Sequence, residues 1–102
     1  MYRFVKNNPP NRDDFKSQYE LSPNKEWGDN ACMACGVSVW DSYDVARKKQ
    51  QKSKLFRNDQ IAEGTILENT GLILETFKKN HITWWIAPGV IPEATFKVLD
   101  ME

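Results

Sequence analysis

The sequence predicts an α+β fold, a single sheet of about five or six strands with two helices packed on it, in one domain spanning residues 1–102. Three observations carry this expectation. Several short runs alternate apolar and polar residues with the period of two that gives a strand two different faces. One longer stretch, from Asp41 to about Lys54, opens on a capping residue and closes on a basic half, as helices do. The chain also lacks the internal repeats and low-complexity tracts of other architectures.

Tyr2-Arg3-Phe4-Val5-Lys6 is rich in strand formers and stops at Asn7-Asn8-Pro9-Pro10, where the prolines supply no backbone donor. Asn11 then caps a short helix. Asp13 and Asp14 in its first turn complement the helix dipole, and Phe15 and Tyr19 lie four apart on one face. Ser22 to Asn30, with Pro23 and Gly28, reads as a loop that Trp27 can pin. From Cys35 to Trp40, Val37 and Val39 alternate with Gly36, Ser38 and Trp40 as in a strand.

Asp41 is the expected N-cap of the main helix, with Asp44 three residues on and Tyr43, Val45 and Ala46 as its apolar positions. Ile61 to Glu68 and Leu72 to Phe77 are strand-compatible, and Asn69-Thr70-Gly71 between them suits a hairpin turn; a helix over the second run is the alternative. In His81-Ile82-Thr83-Trp84-Trp85-Ile86 the residues Ile82, Trp84 and Ile86 face one way, and His81, Thr83 and Trp85 the other. Pro88-Gly89 ends that run, and Thr95 to Leu99 forms a final strand.

Lysine plus arginine equals aspartate plus glutamate at 14 each, so no global charge steers the chain toward nucleic acid or an anionic membrane, and neither is an expected partner. The opening residues lack the apolar run of a signal peptide, and no stretch approaches the roughly 20 apolar residues that span a bilayer. A cytoplasmic location is the expectation. Cys32 and Cys35 are the two cysteines, too few for a disulfide framework, and reduced thiols follow.

Cys32-Met33-Ala34-Cys35 has the spacing of a shared metal or a redox pair. A closed zinc site needs four ligands, however, which here means His81 with a carboxylate, or a second subunit. A redox pair wants its first thiol at a helix N-terminus, whereas this motif leads into a strand. No metal site and no cofactor are assigned. Lys and Arg at positions 47, 48, 49, 52, 54 and 57 form a basic run able to meet phosphates, which is also what a solvated helix C-terminus looks like. No phosphate-binding loop, dinucleotide fingerprint or nucleophile elbow is present.

Candidate ligand-binding residues are Arg3, Ser38, His81, Thr83 and Trp85. Arg3 sits in a strand, where a guanidinium needs an anion, a carboxylate or water. His81 is the side chain that titrates near neutrality, Ser38 offers a hydroxyl from mid-strand, and Trp85 offers a ring for stacking. Together they suit a small nucleotide-like ligand. A protein-interaction module of immunity, antitoxin or inhibitor type is the alternative, acting through the basic helix end or through exposed Trp27 and Trp40.

Tyr2-Arg3-x-Val5, Pro9-Pro10, Asp14-Phe15-x-Ser17, Gly36-Val37-Ser38-Val39, Ala46, Ile61-Ala62 and His81-x-Thr83-x-Trp85 resemble, in that order, a family of small uncharacterised bacterial proteins. That resemblance covers most of the chain and implies no particular activity. A weaker likeness is to the ADP-ribosyltransferase fold, in which an early-strand arginine or histidine, a serine on a later strand and a glutamate bind and position NAD. Arg3 and Ser38 match the first two elements. Glu63, Glu75 and Glu93 all fit the third by order, and none stands in a recognisable motif. This likeness implies an NAD-dependent enzyme as a third reading.

Overall fold

In the computed structural model, which describes residues 1–99, the chain forms strands β1 (Tyr2–Val5), β2 (Val37–Trp40), β3 (Gln60–Gly64), β4 (Gly71–Glu75), β5 (His81–Ile86) and β6 (Phe96–Val98). Helices α1 (Gln18–Leu21) and α2 (Ala31–Ala34) are single turns, and α3 (Tyr43–Lys52) is the main helix. All six strands join one sheet in the order β4-β5-β2-β1-β3-β6, with every neighbouring pair antiparallel. The fold is α+β. Among the described residues no helix is long and apolar enough to cross a membrane.

The alternation of side chains divides the apolar residues between two cores. Val37 and Val39 of β2 pair with Trp84 and Ile82 of β5, and with Val5, Ala62, Phe15 and Phe96 they form the core on one face. On the other face Trp40 and Ile61 pack with Ala46 of α3, flanked by Tyr2, Phe4, Tyr43 and Val45. Each fully buried side chain of this size contributes about 1.5–3 kcal/mol of transfer free energy, so both faces of the central strands hold the sheet in place. Buried Gln50 fixes α3 to the start of β3: its amide donates to the Asp59 carbonyl while its oxygen accepts from Arg47.

Several local expectations are corrected. The hairpin across Asn69-Thr70-Gly71 does not form, because β3 and β4 lie toward opposite edges of the sheet and β4 pairs with β5 instead. Gly71 serves a close approach there: a Cβ on it would strike the Trp85 carbonyl, and its φ of 137° suits glycine alone. Ser42, not Asp41, caps α3 by accepting from the Val45 N–H; Asp41 instead accepts from the Asn80 side chain at 2.7 Å. Both residues are good caps, and Asn80 draws Asp41 away.

The expected helix after Asn11 is split in two. Asn11 caps a 3-10 turn over Arg12–Phe15, the chain becomes extended at Lys16, and Ser17 starts α1 with a second reciprocal cap to Glu20. Side chains that can cap compete with continued helix, and here two of them do. Phe15 is consequently buried while Tyr19 points outward, and they share no face. The cysteine motif also differs from expectation. It is a helical turn with both free thiols exposed, and Cys35 forms its C-cap. Trp40, expected on the surface, is 4% exposed in the core under α3. Trp27 does pin its loop, donating from its indole to the Ser22 carbonyl.

Candidate functional site

The site originates in an incomplete strand pairing. β1 and β2 are paired at Tyr2 and Trp40, whereas on its other side β1 pairs with β3 along its whole length. Continued register would set Phe4 opposite Ser38, but the strands part and the Arg3 guanidinium bridges them. Its Nε donates to the Asp14 carbonyl and its Nη1 to the Ser38 carbonyl, each at 2.7 Å, and its Cζ lies 5.4 Å from the centre of the Phe15 ring. Burial lowers the Arg3 pKa to about 10, against the pull of nearby Asp14, so the group remains charged at neutral pH.

Asp14 braces this arrangement from below. Its carboxylate accepts from the backbone N–H groups of Lys6 and Asn11 and from the Asn7 amide. Burial pushes its pKa up, but those hydrogen bonds together with Arg3 outweigh burial and hold it below the usual carboxylate value.

A cavity of about 310 Å³ opens where β1 and β2 part, and Arg3, Ser38 and His81 all line it. Lys16, from the segment before α1, Lys49 of α3 and Lys78 of the β4–β5 turn add three more cations to its wall. Phe4, Trp40, Phe56 and Phe77 supply rings, Phe4 and Phe56 being stacked with centroids 4.7 Å apart. No carboxylate side chain is among the described residues that line it. A second recess of about 480 Å³ lies beside the segment from Ile86 to Glu93, where Glu20 and Glu93 balance Arg12 and Lys16. The first cavity is the one with a uniform sign of charge.

His81 is buried at the wall of the cavity and is held on both ring nitrogens. Nε2 lies 3.0 Å from Ser38 Oγ, while Nδ1 lies 3.2 Å from the Thr76 carbonyl and 3.1 Å from Thr76 Oγ1. A carbonyl oxygen only accepts, so the proton belongs on Nδ1, and Nε2 is left to accept from the Ser38 hydroxyl. Thr76 Oγ1 is in turn 2.6 Å from Thr83 Oγ1. Burial lowers the His81 pKa most; the Thr76 carbonyl opposes that effect, and Lys78 and Lys49 reinforce it. The ring is therefore a neutral base with an accessible partner, because Ser38 is exposed among buried neighbours on β2.

Two sequence-derived candidates fall outside the cavity wall. Thr83 is buried behind His81, bonded to Thr76 and pressed toward Gly36, where a Cβ would collide with its methyl group. Trp85 packs against Gly36 and donates its indole N–H to the Cys32 carbonyl at 2.8 Å, so α2 occupies the ring that was expected to stack on a ligand. Lys16, Lys78, Thr76 and Phe77 were missed as site residues. Phe77 carried a usable signal, an isolated aromatic beside Lys78-Lys79-Asn80, a polar turn-like run. It is 81% exposed, adopts a left-handed φ of 63°, and its ring centre lies 5.4 Å from that of His81.

Glu63, Glu75 and Glu93, the three glutamates considered for NAD chemistry, are absent from the wall of this cavity. No protein-family model matches this chain, and no curated protein or solved structure does. The chemistry of the site therefore carries the functional reading by itself.

Proposed function

We propose that the protein binds a small, anionic, ring-bearing ligand of nucleotide-like character in the cavity between β1 and β2. The supporting observation is the wall itself, in which Arg3, Lys16, Lys49 and Lys78 meet aromatic rings and no carboxylate. Arg3 lies near Asp14 and Lys16 pairs with Asp13 at 3.2 Å, so it is chiefly the repulsion between Lys49 and Lys78 that an anion relieves. At about 310 Å³ the recess lies at the lower end of ordinary ligand pockets, roughly 300–1,000 Å³, which suits a mononucleotide better than a dinucleotide such as NAD. Phe77 is the exposed ring next to His81, so a base or other flat ring stacks on it while its phosphate meets the lysines.

Thermal shift against mononucleotides and inorganic phosphate tests the reading. A ligand at 100 times its Kd adds about 2.7 kcal/mol, equivalent to a rise of roughly 10 °C or more in a domain of this size. Lys49→Glu and Lys78→Glu, on separate elements, should each abolish most of that rise. No rise with any of these compounds, or a rise unchanged in both variants, removes the proposal.

The interaction-module reading has one observation in its favour. On edge strand β4, Leu72, Ile73 and Leu74 are exposed, which leaves an apolar strand edge open to a partner. A stoichiometric partner lost on Leu74→Lys but retained in Lys49→Glu would support it over ligand binding.

A further inference from the structure

We propose that Ser38 is a nucleophile and His81 its general base, so that the site transfers the acyl group of small anionic carboxylic esters to Ser38 and then to water. This deepens the ligand-binding reading and rests on it for the substrate's charge and ring. The carrying observation is the chain of contacts from Ser38 Oγ to His81 Nε2 at 3.0 Å, and from His81 Nδ1 to the Thr76 carbonyl at 3.2 Å. It has the three parts of an activated serine: a hydroxyl, a base, and an acceptor that fixes the base's tautomer and orientation.

The contrast with Thr83 is informative. A hydroxyl that only satisfies a buried network is itself buried, as that of Thr83 is. Ser38 belongs to a central strand yet is exposed, because the parting of β1 and β2 opens the cavity directly over it. Its hydroxyl is therefore reachable from the cavity, and its proton partner, though largely buried, stands at the same wall.

The step balances as follows. Ser38 Oγ forms a bond to the ester carbonyl carbon, the carbonyl π pair moves to oxygen, and the Ser38 proton passes to His81 Nε2. Collapse of that oxyanion breaks the bond to the leaving alcohol, whose oxygen takes the proton from Nε2. Water, giving a proton to the same nitrogen, then cleaves the acyl-serine ester and returns Ser38 with release of the acid. The imidazolium is brief, and the Thr76 carbonyl on Nδ1 stabilises it.

The charges of the site suit the oxyanion. Lys49 from α3 and Lys78 from the β4–β5 turn face His81, and Arg3 from β1 and Lys16 line the same recess. Positive charge at this wall favours developing negative charge on oxygen and keeps the resting imidazole unprotonated. An uncharged acyl carbon, unlike the phosphorus of a fully ionised phosphate with its anionic oxygens, offers no repulsion to the attacking oxygen. This selects acyl over phosphoryl transfer.

The full chain is treated with an uncharged fluorophosphonate, with the site of labelling read by peptide mass, and p-nitrophenyl acetate release is followed in parallel. Ser38 should be labelled stoichiometrically, at a rate that rises with pH and levels off below the ordinary histidine pKa of about 6.5. Ser38→Ala should be unlabelled while keeping the wild-type circular dichroism, and His81→Gln should be slowed at least about 100-fold. The pH profile of the wild-type protein stands on its own should His81→Gln fail to fold.

Absence of Ser38 labelling, labelling that ignores pH, or equal labelling in a folded His81→Gln overturns the proposal. Turnover of p-nitrophenyl phosphate without any acyl ester turnover overturns the choice of acyl transfer. Because the fluorophosphonate carries no charge, its outcome separates from ligand binding. A nucleotide-induced thermal shift without Ser38 labelling removes the nucleophile alone, and labelling without a shift supports the nucleophile and removes the ligand assignment alone.

Discussion

Ser38 and His81 meet as diagonal neighbours across two antiparallel strands. Ser38 pairs with Thr83 and His81 with Trp40, yet the imidazole leans toward the next pair on the same face to bring Nε2 within 3.0 Å of Ser38 Oγ. Trp40 holds that lean, its ring edge-on to the imidazole with centroids 4.8 Å apart. The contact thus depends on the register of β2 against β5 and on a ring locked in the core, not on a mobile loop.

The first prediction concerns stability and acid. His81 has a folded-state pKa below its unfolded value of about 6.5, so below that pH the unfolded chain binds the proton first. Stability should be flat above about pH 6.5 and fall as the pH drops from there toward the folded-state pKa. His81→Gln, which can still donate and accept but does not titrate, should lose that slope. Urea midpoints at pH 7.5 and 5.5 measure it, and an unchanged slope in the variant would place the effect elsewhere.

Asp14 has the opposite task at lower pH. Its folded pKa is depressed, so its contribution is present above the unfolded value of about 3.9 and is lost as pH falls through the folded one. Asp14→Asn leaves an amide where Lys6, Asn7 and Asn11 all donate, and at pH 7 this should cost about 1–3 kcal/mol. The gap between variant and wild type should close on acidification below pH 4. A gap that stays constant to pH 2.5 would contradict the assignment.

Much of the sheet was readable because the strands that matter are two-faced. The alternation in His81 to Ile86 correctly separates Ile82 and Trp84, in the core, from His81, which lines the cavity. The convergence of Arg3, Ser38 and His81 was legible as residue types but not as geometry. It depends on β1 leaving β2 after Tyr2, and residues 2–6 carry no mark of where a pairing stops. Lys16 and Lys78 escaped for a related reason: they come from two segments outside the basic run that holds Lys49, and only the fold brings all three to one wall. Trp85 was misread because its exposed-face position looks the same in sequence whether solvent or α2 lies above it.

Arg3 separates charge from shape. Its two hydrogen bonds replace a stretch of strand ladder, so Arg3→Ala leaves the part-buried Asp14 carbonyl without its donor and the exposed Ser38 carbonyl to water, and should cost about 1–3 kcal/mol. Arg3→Lys keeps the charge, but an ammonium lacks the planar fork that spans both acceptors, so roughly half of that loss should remain. Chemical denaturation of the two variants gives the comparison. Equal stability of Arg3→Lys and wild type would mean that charge alone matters at this position.

Phe77 offers a test in which stability and function should move in opposite directions. A bulky residue at φ 63° carries strain of about 1–2 kcal/mol that glycine does not, and at 81% exposure its ring loses little burial when removed. Glycine adds about 0.5–1 kcal/mol of chain entropy to the unfolded state, so Phe77→Gly should still gain a few tenths to about 1 kcal/mol, or up to several degrees in Tm. The same ring lines the cavity next to His81, and a stacking contact there is worth about 0.5–1.5 kcal/mol. Affinity for a ring-bearing anion should therefore fall roughly 2- to 10-fold in the more stable variant, while affinity for inorganic phosphate, which has no ring to stack, should not. Calorimetric titration with both compounds decides it, since equal losses for the two would show that Phe77 shapes the cavity instead of contacting the ligand.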